Sequence, residues 1–125
     1  MTYIRQWRIS PKMQNTVVET EAYLAVARKL MSIVEMEAVV TMISADPKSG
    51  EVMQGTRGLR KLRIPLQGRG KRGGGRVIYW FYNDGFPAIL LWCFAKNAAA
   101  DLTAVQRKLL MSVTETFLDD YRSKP

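Results

Sequence analysis

Residues 58–96 read GLRKLRIPLQGRGKRGGGRVIYWFYNDGFPAILLWCFAK, and the rhythm of this stretch decides the fold. From Gly58 to Leu66 apolar and basic residues alternate. Leu62, Ile64 and Leu66 fall on one face and Lys61 and Arg63 on the other, as the two-residue period of a strand requires. Pro65 cannot donate to a ladder, so it marks a strand end or a sheet edge. Arg76 to Tyr82 is rich in aromatic and β-branched residues, and Ala88 to Lys96 is an apolar run suited to a central strand. Asn83-Asp84-Gly85 between them is a turn signal, which makes the pair a hairpin. Gln67 to Gly75 carries five glycines and joins the first of these strands to the second.

Upstream the period changes. Thr16-Val17-Val18-Glu19 has β-branched character and reads as a first strand. Tyr23, Leu24, Ala27, Leu30 and Met31 then recur at three- and four-residue steps, which predicts a helix. Ser32-Ile33-Val34-Glu35 fits a capping box and opens a second helix. Its apolar rows, Val34, Ala38 and Met42 beside Val39 and Ile43, are expected to face the core. Asp46-Pro47 stops it and Ser49-Gly50 marks a loop. Downstream, Thr103-Ala104-Val105-Gln106 is another capping box, and a last helix to about Asp120 presents Leu109, Leu110, Val113 and Phe117.

The expected order is β-α-α-β-β-β-α, an α+β domain with an antiparallel sheet packed against helices. Residues 16–125 read as one domain. Residues 1–15 lack a steady period and read as a poorly specified arm. The 125 residues suffice for a single core and are too few for two ordinary domains.

The charge is localised. The net +8 arises between Arg57 and Arg76, where eight bases stand without an acid, while both flanks are balanced. Those bases are Arg57, Arg60, Lys61, Arg63, Arg69, Lys71, Arg72 and Arg76. Such a concentrated field fits a polyanion, RNA or DNA first. The plainer alternative is a solvated basic loop.

Composition excludes several chemistries. With 0 histidines and 1 cysteine, neither a Ser/His/Asp or Cys/His arrangement nor a Cys/His metal site can form. No metal and no cofactor is expected. The lone Cys93 sits in an apolar run and reads as a small buried hydrophobe. No apolar run approaches the ~20 residues of a membrane span, and no secretory signal pattern opens the chain, so a cytoplasmic protein without a membrane partner is expected.

Lys61 and Arg63 share a strand face, Arg76 opens the next strand, and Lys96 closes the last. The four can converge on one sheet face while Leu62, Ile64, Val77, Tyr79 and Phe81 fill the other; alternatively, Lys61 and Arg63 only keep an exposed strand soluble. On RNA, cations can neutralise phosphates, and Tyr79, Trp80 or Tyr82 could stack a base if not buried in the core. The 2′-hydroxyl supplies an internal nucleophile, so a protein need only align it and stabilise charge. A lysine crowded by Arg60 and Arg63 has a depressed pKa, which makes Lys61 a candidate general base. The glycine-rich connection has no Gly-Lys-Ser/Thr element and is not a P-loop.

Three blocks carry a family resemblance: Gly55-Thr56-Arg57-Gly58-Leu59-Arg60-Lys61-Leu62-Arg63, then Gly68 to Trp80, then Leu90 to Asn97 with Ala100-Asp101-Leu102-Thr103. Together they resemble the RelE/HigB-type toxins of bacterial type II toxin–antitoxin modules, over roughly residues 16–120. The resemblance implies a compact microbial-RNase-like fold and a metal-independent, ribosome-dependent endoribonuclease, an mRNA interferase that inhibits translation. Implied partners are mRNA in the ribosomal A site, the ribosome, and a cognate antitoxin of helix-turn-helix type. The family's strand lysines resemble Lys61 and Arg63, its strand-opening arginine Arg76, and its post-strand base Lys96. These four are the candidate catalytic residues; Arg57, Arg60, Arg69, Lys71 and Arg72 are candidates for binding RNA. The chain departs from the family where RelE toxins place a further arginine and a helix-leading tyrosine: here stand Asn97 and Thr103. Arg57 occupies a position where the block usually has glycine, which favours positive φ. The rival readings are a non-catalytic RNA- or DNA-binding domain and an inactive toxin that only binds its antitoxin.

Overall fold

The computed structural model describes the backbone of residues 4–8 together with residues 15–67, 74–99 and 101–123. The elements are β1 (Ile4–Arg8), β2 (Val17–Thr20), α1 (Glu21–Leu30), α2 (Ile33–Ala45), β3 (Glu51–Val52), β4 (Leu59–Ile64), β5 (Gly75–Trp80), β6 (Ala88–Ala95) and α3 (Ala104–Ser123). The strands form one sheet in the order β1-β2-β6-β5-β4-β3. The α+β class and the β4-β5-β6 meander agree with the reading of residues 58–96.

The strand order and the purely antiparallel sheet need correction. A two-residue strand, β3, precedes β4 and pairs with it antiparallel, so from β2 onward the order is β-α-α-β-β-β-β-α. The sheet is mixed: β2 runs parallel to β6, with Val17 beside Ala88 and Glu19 beside Leu90. The chain between them runs through α1, α2 and β3 to β5, and parallel neighbours need a long connection of this kind because no tight turn can join them. Within the stretch expected to be an arm, Ile4–Arg8 pairs antiparallel with β2 at the sheet edge.

Alternation along β4 and β5 sorts side chains into two cores. Leu62, Ile64, Val77, Tyr79 and Phe81 pack with Tyr23, Leu24, Ala27, Val39, Val40 and Ile43 of the first two helices. On the opposite face Leu59, Ile78, Trp80, Ile89 and Leu91 pack with Leu102, Leu110 and Phe117. The face expected to lie open is therefore covered by α3 over part of its length. Cys93 lies in the first core, and burial pushes its thiol up to about 12.

Helix ends follow the capping signals. Thr20 Oγ1 accepts from the Tyr23 N–H and donates to the Leu90 carbonyl at 2.8 Å, tying α1 to the central strand. Ser32 and Glu35 form a reciprocal capping box, as do Thr103 and Gln106. The buried faces differ in part from expectation. In α2 the buried stripe is Met36, Val39, Val40 and Ile43, while Val34 is 77% exposed. That helix is apolar almost all round, so its period leaves the inward face open and packing selects it. In α3, Leu110 and Phe117 are buried but Leu109 faces solvent. Among the described residues no helix is long and apolar enough to cross a membrane.

Candidate nucleic-acid interface

In the β4–β5 ladder Arg63 stands directly opposite Arg76, and Lys61 opposite Ile78. Partners across a ladder point to the same face, so Lys61, Arg63 and Arg76 project together. Like charges opposed in this way destabilise a sheet, so packing alone does not account for them. Lys96 follows β6, and its backbone N–H donates to the Gly74 carbonyl at 3.1 Å, which sets it beside the start of β5. Gly74 has φ of +48°, and a Cβ there would lie 2.7 Å from the Ile64 carbonyl oxygen. Only glycine permits that approach, which brings Arg76 into register.

The four cations line one open cleft of about 460 Å³, together with Ser49, Glu51 and Leu62. The convergence expected of Lys61, Arg63, Arg76 and Lys96 is thus present in the geometry. Ser49 and Glu51 were not legible as members. They sit on the α2–β3 connection and on β3, where a two-residue strand offers no period to read. Glu51 is the ladder partner of Lys61, so its side chain shares that face. Phe94, opposite Arg76, and Trp92, opposite Ile78, are the half-buried aromatics of this face. Tyr79 and Trp80, considered as base-stacking candidates, are buried. Tyr82 is 44% exposed but packs on Trp80 and Phe86 beyond the other end of β5 from Arg76.

A carboxylate touches the cluster from the loop that enters α3. Lys61 Nζ donates to Asp101 Oδ2 at 3.2 Å, and Arg107 Nη2 lies 3.6 Å from the same oxygen. Asp101 Oδ1 accepts from the Leu102 N–H at 2.8 Å. Partial burial pushes the Asp101 carboxyl up, but the Leu102 N–H, Lys61 and Arg107 outweigh it and hold it below its ordinary value. Among the described residues Arg63, Arg76 and Lys96 form no ion pair, and Arg76 Nη1 donates to the Gly75 carbonyl at 2.9 Å.

The remaining bases are not gathered here. Arg60 points to the other face, where its Nη1 donates to the carbonyls of Lys48 (3.2 Å) and Gly50 (2.8 Å). The crowding of Lys61 by Arg60 is therefore absent, and the neighbour Lys61 does have is an acid. Arg57 precedes β4 at the far end of the strand, with φ of +59° and an ion pair to Glu115. Its left-handed backbone is the conformation the glycine comparison suggested. Arg69, Lys71 and Arg72 lie outside the described residues.

Chemically, the lining of the cleft suits an anion with several oxygens. Two guanidiniums offer forked donors, two ammoniums add point charges, and the rim brings a carboxylate. Among the described residues no cluster of three or more Cys, Asp or Glu is placed to hold a metal ion. No family model matches the chain.

Proposed function

We propose that this chain is the toxin of a type II toxin–antitoxin module, similar to the RelE/HigB group, and that it cleaves mRNA on translating ribosomes without a metal. The reading rests on one observation: Lys61, Arg63, Arg76 and Lys96 line a single cleft on an otherwise packed sheet. A scissile phosphodiester seated there has its non-bridging oxygens within the reach of Arg63 and Arg76. The 2′-hydroxyl attacks phosphorus, a cyclic phosphate forms, and the 5′-oxygen leaves. The guanidiniums stabilise the charge that builds on the phosphoryl oxygens, and one such donor is commonly worth ~10²–10³ in rate. Lys61 and Lys96 complete the field. The compact microbial-RNase-like fold, the ribosome, A-site mRNA, a helix-turn-helix antitoxin and a cytoplasmic location belong to the same proposal.

Brief induction followed by mapping of message 5′ ends tests it. New ends within translated frames, absent for folded Arg63→Ala and Arg76→Ala and suppressed by the product of the adjacent reading frame, are the expected result. Binding that weakens in those variants without cut ends from the parent chain favours the non-catalytic RNA-binding domain. Suppression by the neighbouring product with neither binding nor cutting favours an inactive toxin homologue.

A further inference from the structure

Cleavage through a 2′-hydroxyl needs a group that takes its proton, and the chain has no histidine. The hydroxyl of Tyr79 is engaged on the opposite face with the Gly50 N–H and the Pro47 carbonyl. Lys61 Nζ is already engaged as a donor to Asp101. Asp101 is itself occupied by the Leu102 N–H, Lys61 and Arg107. One described carboxylate lining the cleft is left: Glu51, exposed, on the β3 rim, and in no ion pair with a described residue.

We infer that Glu51 is the general base of this cleft and accepts the 2′-hydroxyl proton of the nucleotide seated on Lys61, Arg63, Arg76 and Lys96. The assignment rests on the nuclease reading above and names its missing proton acceptor. The ladder puts Glu51 opposite Lys61, so base and cations share one face while coming from different strands. A carboxylate in a phosphate cleft weakens anion binding, so a purely binding surface gains nothing from it; a transesterification does. The proton passes to the Glu51 carboxylate as the 2′-oxygen–phosphorus bond forms. The phosphorus–5′-oxygen bond breaks, and a lysine ammonium of the cleft, Lys96, returns a proton to the leaving oxygen. Solvent then restores both groups.

The test uses the full chain on ribosomes programmed with a short message, comparing the parent, Glu51→Gln and Glu51→Asp. Single-turnover rates are followed across pH, alongside affinity for the same message carrying a 2′-deoxy substitution at the scissile position. General-base removal typically costs roughly 10²–10⁴-fold in rate. Glu51→Gln is therefore expected to lose at least about 100-fold and the acid limb of its pH–rate profile. It should bind the deoxy message as tightly as the parent or more tightly, and Glu51→Asp should recover part of the rate. A structural role would not separate binding from rate in this way. Parent and Glu51→Gln cutting equally at every pH overturns the base assignment alone. A parent chain that never cuts overturns the nuclease reading, and this assignment with it.

Discussion

Lys61 Nζ and Asp101 Oδ2 stand 3.2 Å apart, an ion pair that fastens β4 to the loop entering α3 across 40 positions of sequence. It also fixes how one cation of the cleft is presented. Because folding holds the Asp101 carboxyl below its ordinary value of 3.8, the carboxylate adds its full stability above that value. The contribution fades as pH falls through the lower folded value. Both side chains are partly exposed, 26% and 39%, so it stays below about 1 kcal/mol. Urea denaturation of Asp101→Asn should show that small deficit at neutral pH, with the two midpoints converging in acid. A deficit that persists in strong acid would contradict the electrostatic origin.

The neighbouring arginines of β4 should separate cleanly. Arg63→Ala removes an exposed charge opposed to Arg76, so stability should stay within about 0.5 kcal/mol of the parent or rise. Its binding to single-stranded RNA should weaken, with the slope of log affinity against log salt shallower by ~0.7. Arg60→Ala leaves that slope unchanged and costs about 1–2 kcal/mol, because the carbonyls of Lys48 and Gly50 lose a charged donor. Fluorescence anisotropy over a salt series and denaturant melts together check both halves.

Tyr79 pins the α2–β3 connection to the sheet: its hydroxyl accepts from the Gly50 N–H at 2.9 Å and donates to the Pro47 carbonyl at 2.8 Å. Tyr79→Phe strands both backbone groups and should destabilise by about 1–3 kcal/mol. Gly50→Ala attacks the same contact from the other side, since its Cβ would fall 2.8 Å from Tyr79 Cε1 and 3.1 Å from the Lys61 carbonyl oxygen. Overpacking of this kind costs about 1–3 kcal/mol. Because this connection carries Ser49 and Glu51 to the cleft, both variants should also slow message cleavage at temperatures where they remain folded.

Arg57 holds φ of +59°, a conformation that costs an L-residue about 1–2 kcal/mol and glycine almost nothing. Its ion pair with Glu115 joins two well-exposed side chains, 68% and 53%, and offsets only part of that. Arg57→Gly should raise the thermal midpoint, or at worst leave it unchanged, and Arg57→Ala should lower it. Equal losses in both variants would assign the site's importance to the Glu115 pair instead.

Cys93 should resist alkylation in the native protein. Its side chain is buried and its thiol is pushed up to about 12, so the reactive thiolate is scarce at neutral pH. Iodoacetamide labelling should be slow until denaturant opens the core, and rapid native labelling would show that β6 opens locally.

Much of this architecture is written in short-range pattern. Alternation across residues 59–64 already places Leu62 and Ile64 against Lys61 and Arg63, and the two capping boxes at Ser32 and Thr103 mark helix starts correctly. The left-handed backbone of Arg57 was expected only through the resemblance, in which the block usually has glycine at that position, since an arginine by itself carries no signal for positive φ. Where a helix is apolar on most sides, as α2 is, the pattern loses its power: Val34 turned outward and Met36 inward although both are hydrophobic.

Charge placement, strand period and turn chemistry act over a few residues, so residue order suffices to announce a meander with a cationic face and no imidazole chemistry. The parallel seam of Val17 with Ala88, the cover that α3 lays over part of one sheet face, the retreat of Arg60, the arrival of Glu51 at the cleft and the pairing of Asp101 with Lys61 are of another kind. Each joins positions distant along the chain. No propensity encodes such a meeting; it arises only when helices and sheet bury their apolar faces together, and that packing chooses which charged side chains become neighbours.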